Sequence, residues 1–209
     1  MGKELNAQVK SCFSDILRKI VQLLRSFILD DNSHRLVFTH LVWNACDVVK
    51  SLPMSNIEAV ERKWKSIIEV FEDVLSEMDQ MMNEDFDEDV EWSPESQQVI
   101  RNARQIVLTC KQIFTKIQKR CLTDCDWLED TDEIKNKFGI LLDNFGSSLY
   151  APQDIDLICR HGLSLIQEIQ AIVELAKCQC ESSHIAWFDM AIDCCNKSLA
   201  SLSSRNPSR

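Results

Sequence analysis

Apolar residues recur at alternating three- and four-residue steps in seven segments of this chain, and that period places them on one face of an α-helix. Only four glycines and four prolines stand in 209 residues, whereas an all-β fold needs turn residues every ~8–12 positions. The sequence therefore predicts an all-α protein. The third segment keeps the period most strictly, at Ile57, Val60, Trp64, Ile67, Phe71, Val74, Met78 and Met81.

The first segment, over residues 3–29, carries a wider apolar face than the others. One set of residues follows the helical period, at Val9, Phe13, Ile16, Ile20, Leu23 and Phe27. A second set lies beside it and widens the seam into a bundle face, at Leu17, Val21, Leu24 and Ile28. Both sets are therefore predicted to face the interior of a helical bundle.

Local signals mark several helix ends. Ser55 and Glu58 have the spacing of a capping box. Ser93 precedes Pro94, which suits an N-cap followed by the first helical position. A shorter helix is predicted over about 126–146, with Gly146 at its C-terminus. Seven amphipathic segments with short connections predict an up-and-down bundle of about five long helices plus shorter ones.

A run of carboxylates divides the predicted helices into two groups. N-terminal helices over 1–82 and C-terminal helices over 93–203 are predicted to form one bundle, with an acidic linker over 83–92 and a disordered tail over 204–209. The linker's carboxylates repel one another, which favours exposure and makes them candidate docking residues for a basic partner. They are Glu84, Asp85, Asp87, Glu88, Asp89 and Glu91.

Composition and charge exclude several classes of function. The formal net charge is −10, which disfavours direct nucleic-acid binding. No run of 18 apolar residues could span a membrane, and the N-terminus lacks the apolar region of a signal peptide. The four glycines cannot build a phosphate-binding loop, and no histidine has an evident nucleophile partner. We therefore expect a cytosolic or nuclear protein without catalytic residues or a cofactor.

The ten cysteines are interpreted as reduced thiols, because nothing in the sequence directs the chain to an oxidising compartment. Cys178, Cys180 and His184 form the sharpest metal-like cluster, and Cys121 and Cys125 could complete a tetrahedral zinc site. That spacing fits no common zinc module. Free thiols near helix ends are the preferred interpretation, and a zinc-stabilised domain is an alternative.

Several fragments, in order along the chain, resemble the cyclin-D-binding protein family, also called GCIP or Maid. They include Val42-Trp43-Asn44-Ala45-Cys46, the acidic linker with Val90-Glu91-Trp92-Ser93, Gln98-Val99-Ile100, Cys110-Lys111-Gln112-Ile113, the run from Leu142 to Pro152, and Ala191-Ile192-Asp193-Cys194-Cys195. The chain is expected to lack a further N-terminal helical region found in mammalian members.

The resemblance implies a non-enzymatic regulator that binds cyclin D and helix-loop-helix transcription factors and restrains cell-cycle progression or transcription. The family has been likened to Id proteins, which dimerise without a basic region. Helix-in-groove binding or exchange of helix pairs would supply the contact. A helical-bundle scaffold of the vinculin or talin kind, serving cytoskeletal or adhesion assemblies, is the alternative interpretation. The sequence leaves the oligomeric state open.

Overall fold

The computed structural model describes residues 2–29, 33–83, 93–122, 127–128 and 131–204. Within these residues every regular element is helical, which confirms the all-α prediction. The helices are α1 (Lys3–Ile28), α2 (Arg35–Val48) with a 3₁₀ turn (Val49–Ser51), α3 (Asn56–Met81), α4 (Pro94–Arg120), α5 (Thr131–Ser147), α6 (Ile155–Lys177) and α7 (Ser182–Ser203).

The predicted caps hold the starts of α3 and α4. Ser55 Oγ accepts a hydrogen bond from the Glu58 N–H at 3.1 Å, and the Glu58 carboxylate reaches back to the Met54 N–H at 2.7 Å. Ser93 Oγ accepts from the Ser96 N–H at 3.1 Å. These bonds satisfy backbone donors that have no partner within the first helical turn.

Helix α5 begins at Thr131 rather than at about residue 126. The start was predicted too early because Leu128, which precedes the helix, continues the apolar period. The observed start places Asp132 and Glu133 in the first turn, where carboxylates complement the positive end of the helix dipole.

The chain divides into two compact units, residues 1–60 and residues 61–209, and the boundary falls within α3. The predicted organisation around an acidic linker stays a prediction, because residues 84–92 and 205–209 lie outside the described residues. No helix within the described ranges combines the length and the apolar character that a membrane span requires.

Ion pairs give the relative direction of α3 and α4 in the unit 61–209. Arg104 of α4 donates two hydrogen bonds to Asp79 near the end of α3, with Nε–Oδ1 at 2.6 Å and Nη2–Oδ2 at 3.0 Å. Lys111, further along α4, lies 2.7 Å from Glu72. The pairs move back along α3 as they advance along α4, so these helices are antiparallel.

Helices α6 and α7 are also antiparallel. Lys177, at the end of α6, pairs with Asp189 near the start of α7 at 2.6 Å. Cys159, near the start of α6, lies 3.4 Å from the hydroxyl of Ser203 at the end of α7. Because α5 packs on α6, and α7 also packs on α4, the helices of the unit 61–209 form an up-and-down helical bundle.

An aromatic cluster lies at the centre of this bundle. Trp64 stacks on Phe114 at a centroid distance of 4.8 Å, and Phe71 and Phe138 contact the same Phe114 ring at 5.1 and 4.9 Å. All four side chains are fully buried. The Trp64 Nε1–H donates to the Phe114 carbonyl at 2.9 Å, which satisfies the one polar atom of the buried indole.

Candidate protein-interaction surface

The unit 1–60 is held together by helix packing and by side chains at the starts of α1 and α3. Asn56 Oδ1 accepts a hydrogen bond from the Leu5 N–H at 3.1 Å, and Gln8 Nε2 donates to the Ala59 carbonyl at 3.3 Å. Asn56 thus caps α1 from another element, a role that no local sequence signal predicts. Helices α1 and α2 pack against each other.

One face of α1 is apolar and open to solvent. At about 100° per residue, its five large side chains lie within an arc of about 80°, and each is between 45% and 80% exposed. We call this surface the α1 stripe, and it consists of Phe13, Leu17, Val21, Leu24 and Ile28.

The α1 stripe corrects part of the sequence prediction. Both apolar sets of the first segment were expected to face inward, yet only Ile16 is buried. Two members of the first set are exposed, Phe13 and Phe27, and so is the whole second set: Leu17, Val21, Leu24 and Ile28. The physical reason is the width of the apolar face: the apolar residues of α1 cover more of the helix circumference than α2 and the start of α3 can bury in this unit.

Helix α2 and the residues after it add to the exposed apolar surface of this unit. Trp43 is 67% exposed and Met54 is 90% exposed. Leu36, Val37 and Val48 are exposed as well. Single exposed apolar residues are normal, but a concentration of them in one 60-residue region is typical of surfaces that bind other proteins.

Positive charge accompanies the α1 stripe. Lys10 lies within its arc, and Arg18 and Arg25 lie beside it, all three exposed. Arg18 pairs with Asp15 at 3.6 Å. The unit 1–60 carries seven Lys and Arg against six Asp and Glu, a net +1, whereas residues 61–209 carry 16 against 27, a net −11. The surface is therefore suited to an amphipathic partner helix with acidic flanks.

The acidic residues proposed from the sequence as docking residues all lie outside the described residues. They are Glu84, Asp85, Asp87, Glu88, Asp89 and Glu91. Their participation in binding stays a prediction.

The zinc alternative finds no ligand set among the residues that the structure describes, where no three His, Cys, Asp or Glu side chains are grouped to hold a metal ion. Cys178 and Cys180 lie near backbone carbonyls of their own turns, at 3.6 and 3.8 Å. His184 lines a different groove, between α4 and α7. Cys125 lies outside the described residues.

Cys121 is a buried thiol next to Cys180. Burial, with a smaller contribution from Cys180, raises the pKa of Cys121 to about 12. A thiol with so high a pKa is neutral at physiological pH and is a poor nucleophile and a poor metal ligand. Its position suits a packing role at the end of α4.

Two comparisons with known proteins bear on this surface. The model of the N-terminal region of the Grap2 and cyclin-D-interacting proteins matches residues 1–84. A protein of Xenopus laevis described as a cyclin-D1-binding protein 1 homolog is 20% identical over 225 residues, which cover 92% of this chain and 68% of that protein.

The first match places the N-terminal region that the family model describes on residues 1–84 of this chain. The expectation that the chain lacks a further N-terminal helical region of mammalian members stays a prediction. The α1 stripe lies entirely within these matched residues.

Proposed function

We infer that this chain is a member of the Grap2 and cyclin-D-interacting (GCIP) family, whose N-terminal model matches residues 1–84, and we propose that it is a non-enzymatic regulator that acts by binding other proteins. Its proposed partners are a cyclin D and helix-loop-helix transcription factors, and its proposed effect is to restrain cell-cycle progression or transcription. The name of the Xenopus laevis relative supports the first partner. The cytoplasm and the nucleus are the proposed locations.

The observation that carries the proposal is the exposed α1 stripe. Burying apolar surface contributes about 25 cal/mol per Å² removed from water, so a stripe of five large side chains supplies a substantial driving force for association. Its length, from Phe13 to Ile28, is about 22 Å at 1.5 Å per residue. A partner helix of about four turns matches that length.

The acidic residues 84–91 are proposed as a second, electrostatic contact to a basic region of the partner. Such charges raise the association rate and the salt dependence more than they raise the affinity. The apolar stripe and the acidic segment are therefore separable in an experiment.

A bundle scaffold of the vinculin or talin kind is the second candidate function. The observation in its favour is the up-and-down helical bundle of residues 61–204, a construction that suits a rigid spacer. The exposed stripe in residues 1–60 favours the regulator.

The test is binding of the purified full chain to a cyclin D and, separately, to a helix-loop-helix factor, each at low and high salt. The stripe variant carries Leu17→Lys and Leu24→Lys. Its matched control carries Ala7→Lys and Ser11→Lys, which add the same charge at exposed positions of α1 outside the stripe. A third variant replaces the carboxylates of residues 84–91 with amides.

We expect saturable binding that the stripe variant weakens at least about tenfold, since two buried leucines contribute more than about 1.4 kcal/mol. The control should bind like the original chain, and the amide variant should mainly lose the salt dependence. Absence of binding to either partner by a folded chain would make the scaffold the better account. Equal loss in the stripe variant and its control would refute the stripe as the contact.

A further inference from the structure

A groove between α4 and α7 differs in charge from the rest of its unit. It has a volume of about 490 Å³. Its floor includes the Trp187 indole, and the Lys116 ammonium lies 4.4 Å from the centre of that ring. The basic residues on its walls are Lys111, Lys116, Lys119, Arg120 and His184.

Three of the four Lys and Arg side chains of this groove have no carboxylate partner among the described residues. Lys111 pairs with Glu72 at 2.7 Å. Lys116, Lys119 and Arg120 make no ion pair within the part of the chain that the structure describes. Their clustering is notable because residues 61–209 carry a net charge of −11.

The start of α7 also borders the groove. Its first turn contains no acidic residue, although Glu181 lies at the N-cap without making a side-chain capping hydrogen bond. His184, in this first turn, lines the groove.

The arrangement of the cations indicates the shape of the ligand. From Lys111 to Arg120 the basic residues extend about 13 Å along α4 at 1.5 Å per residue. An extended peptide of about four residues covers the same distance at roughly 3.3 Å per residue. Carboxylates along such a peptide would meet successive turns of the helix, whereas one phosphate would engage only part of the row.

The groove fits an acidic peptide better than a nucleic acid or a membrane. A nucleic acid would have to continue past a 13 Å basic row onto a strongly acidic unit, where like charges repel. A membrane surface needs exposed apolar side chains beside the cations, and this groove instead holds a half-buried indole covered by Lys116.

We propose that the groove between α4 and α7 binds an acidic peptide segment of a partner protein, with carboxylates on Lys116, Lys119 and Arg120 and an apolar side chain on Trp187. This site is separate from the α1 stripe and from the acidic residues 84–91, and it would give the chain a further contact. A partner that used both would bind more tightly than either contact allows alone.

The test uses the full chain and a fluorescent hexaglutamate peptide carrying one leucine, measured by anisotropy. Nuclear magnetic resonance of the indole N–H groups reports on Trp187. The groove variant carries Lys119→Glu and Arg120→Glu, and a milder one carries Lys119→Gln and Arg120→Gln. The matched control, Arg160→Glu with Lys197→Glu, reverses two exposed charges of α6 and α7 that do not line the groove.

We expect saturable binding that shifts the Trp187 resonance and weakens by about tenfold or more between 0.05 and 0.3 M salt. The groove variant should lose at least about tenfold in affinity, the milder variant less, and the control less than about twofold. Circular dichroism of each variant reports whether it remains folded.

Three results would overturn the proposal. One is no saturable binding of the peptide by the original chain at millimolar concentration. A second is an equal loss of affinity in the groove variant and the control. A third is tighter binding of single-stranded DNA or of vesicles containing anionic lipid than of the peptide, with the same Trp187 shift.

Discussion

The unit 61–209 buries most of its large apolar side chains, whereas the unit 1–60 leaves many of its own exposed to water. Trp64, Phe71 and Phe114 are fully buried in the bundle, while Phe13 on α1 and Trp43 on α2 are 51% and 67% exposed. The same apolar period therefore has two outcomes. Whether the apolar face of a helix is buried or exposed depends on how many other helices pack against it. An apolar face left exposed is available to bind a partner.

Truncating one phenylalanine in each unit tests this difference in burial with the largest expected effect. Phe114→Ala removes a ring in contact with three other aromatic side chains and leaves a cavity. We expect it to lower the free energy of unfolding by about 3–5 kcal/mol. Phe13→Ala should change it by less than about 1 kcal/mol, because that ring is half in water already. Urea denaturation of both variants measures the difference, and similar losses would contradict the comparison.

Thiol reactivity distinguishes the two units without any mutation. Cys46 on α2 is exposed, whereas Cys121 is buried with a pKa raised to about 12. At pH 8 iodoacetamide should therefore alkylate Cys46 at least about a hundredfold faster, because the thiolate is the reactive form. Peptide mass spectrometry over time measures both rates. Comparable rates in the folded chain would show that Cys121 is not protected.

The cap of α4 should contribute about 1 kcal/mol to the unit 61–209. Ser93→Ala removes the hydrogen bond that Ser93 Oγ accepts from the Ser96 N–H. Ser93→Asp is the matched control, since aspartate also caps helices and complements the dipole. Thermal denaturation should show a loss for the alanine variant and little change for the aspartate variant. A loss as large for aspartate as for alanine would exclude the capping role.

The Asp79–Arg104 pair is expected to have the smallest effect. Hydrogen bonds from Arg104 hold the pKa of Asp79 below its ordinary value, but the Asp79 side chain is 49% exposed and solvent screens the pair. Asp79→Asn should therefore cost at most about 0.5 kcal/mol at pH 7.

The pH dependence of that cost follows from the lowered pKa. The stabilisation is present above the unfolded pKa of about 4 and is lost as the pH falls through the lower folded value. The variant and the original chain should thus converge in acid. Urea midpoints between pH 7 and pH 3 measure this, and a difference that grew in acid would contradict the assigned cause.

Sequence patterns predicted the features that depend on residues close together in the chain, namely helix caps and the buried face of a helix. The capping box at Ser55 and Glu58, the N-cap at Ser93 and the buried Trp64 follow from spacing alone, and the structure has all of them. The start of α5 was predicted too early because Leu128 continues an apolar period outside the helix.

The features that were missed depend on contacts distant in sequence. The cap that Asn56 supplies to α1 joins residues 51 positions apart. Leu17 and Leu24 are exposed because few helices pack in the unit 1–60. The period of apolar residues in the sequence does not predict how many helices pack there. The groove at Lys116 and Trp187 forms only because α7 returns along α4.

Hydrogen exchange of the full chain, alone and with saturating cyclin D, tests most directly whether the α1 stripe is the protein-interaction surface. Burial of the stripe under a partner helix should slow exchange of the α1 amides around residues 13–28, with smaller changes within residues 61–204. Unchanged exchange in α1, with protection confined to residues 61–204, would contradict the account.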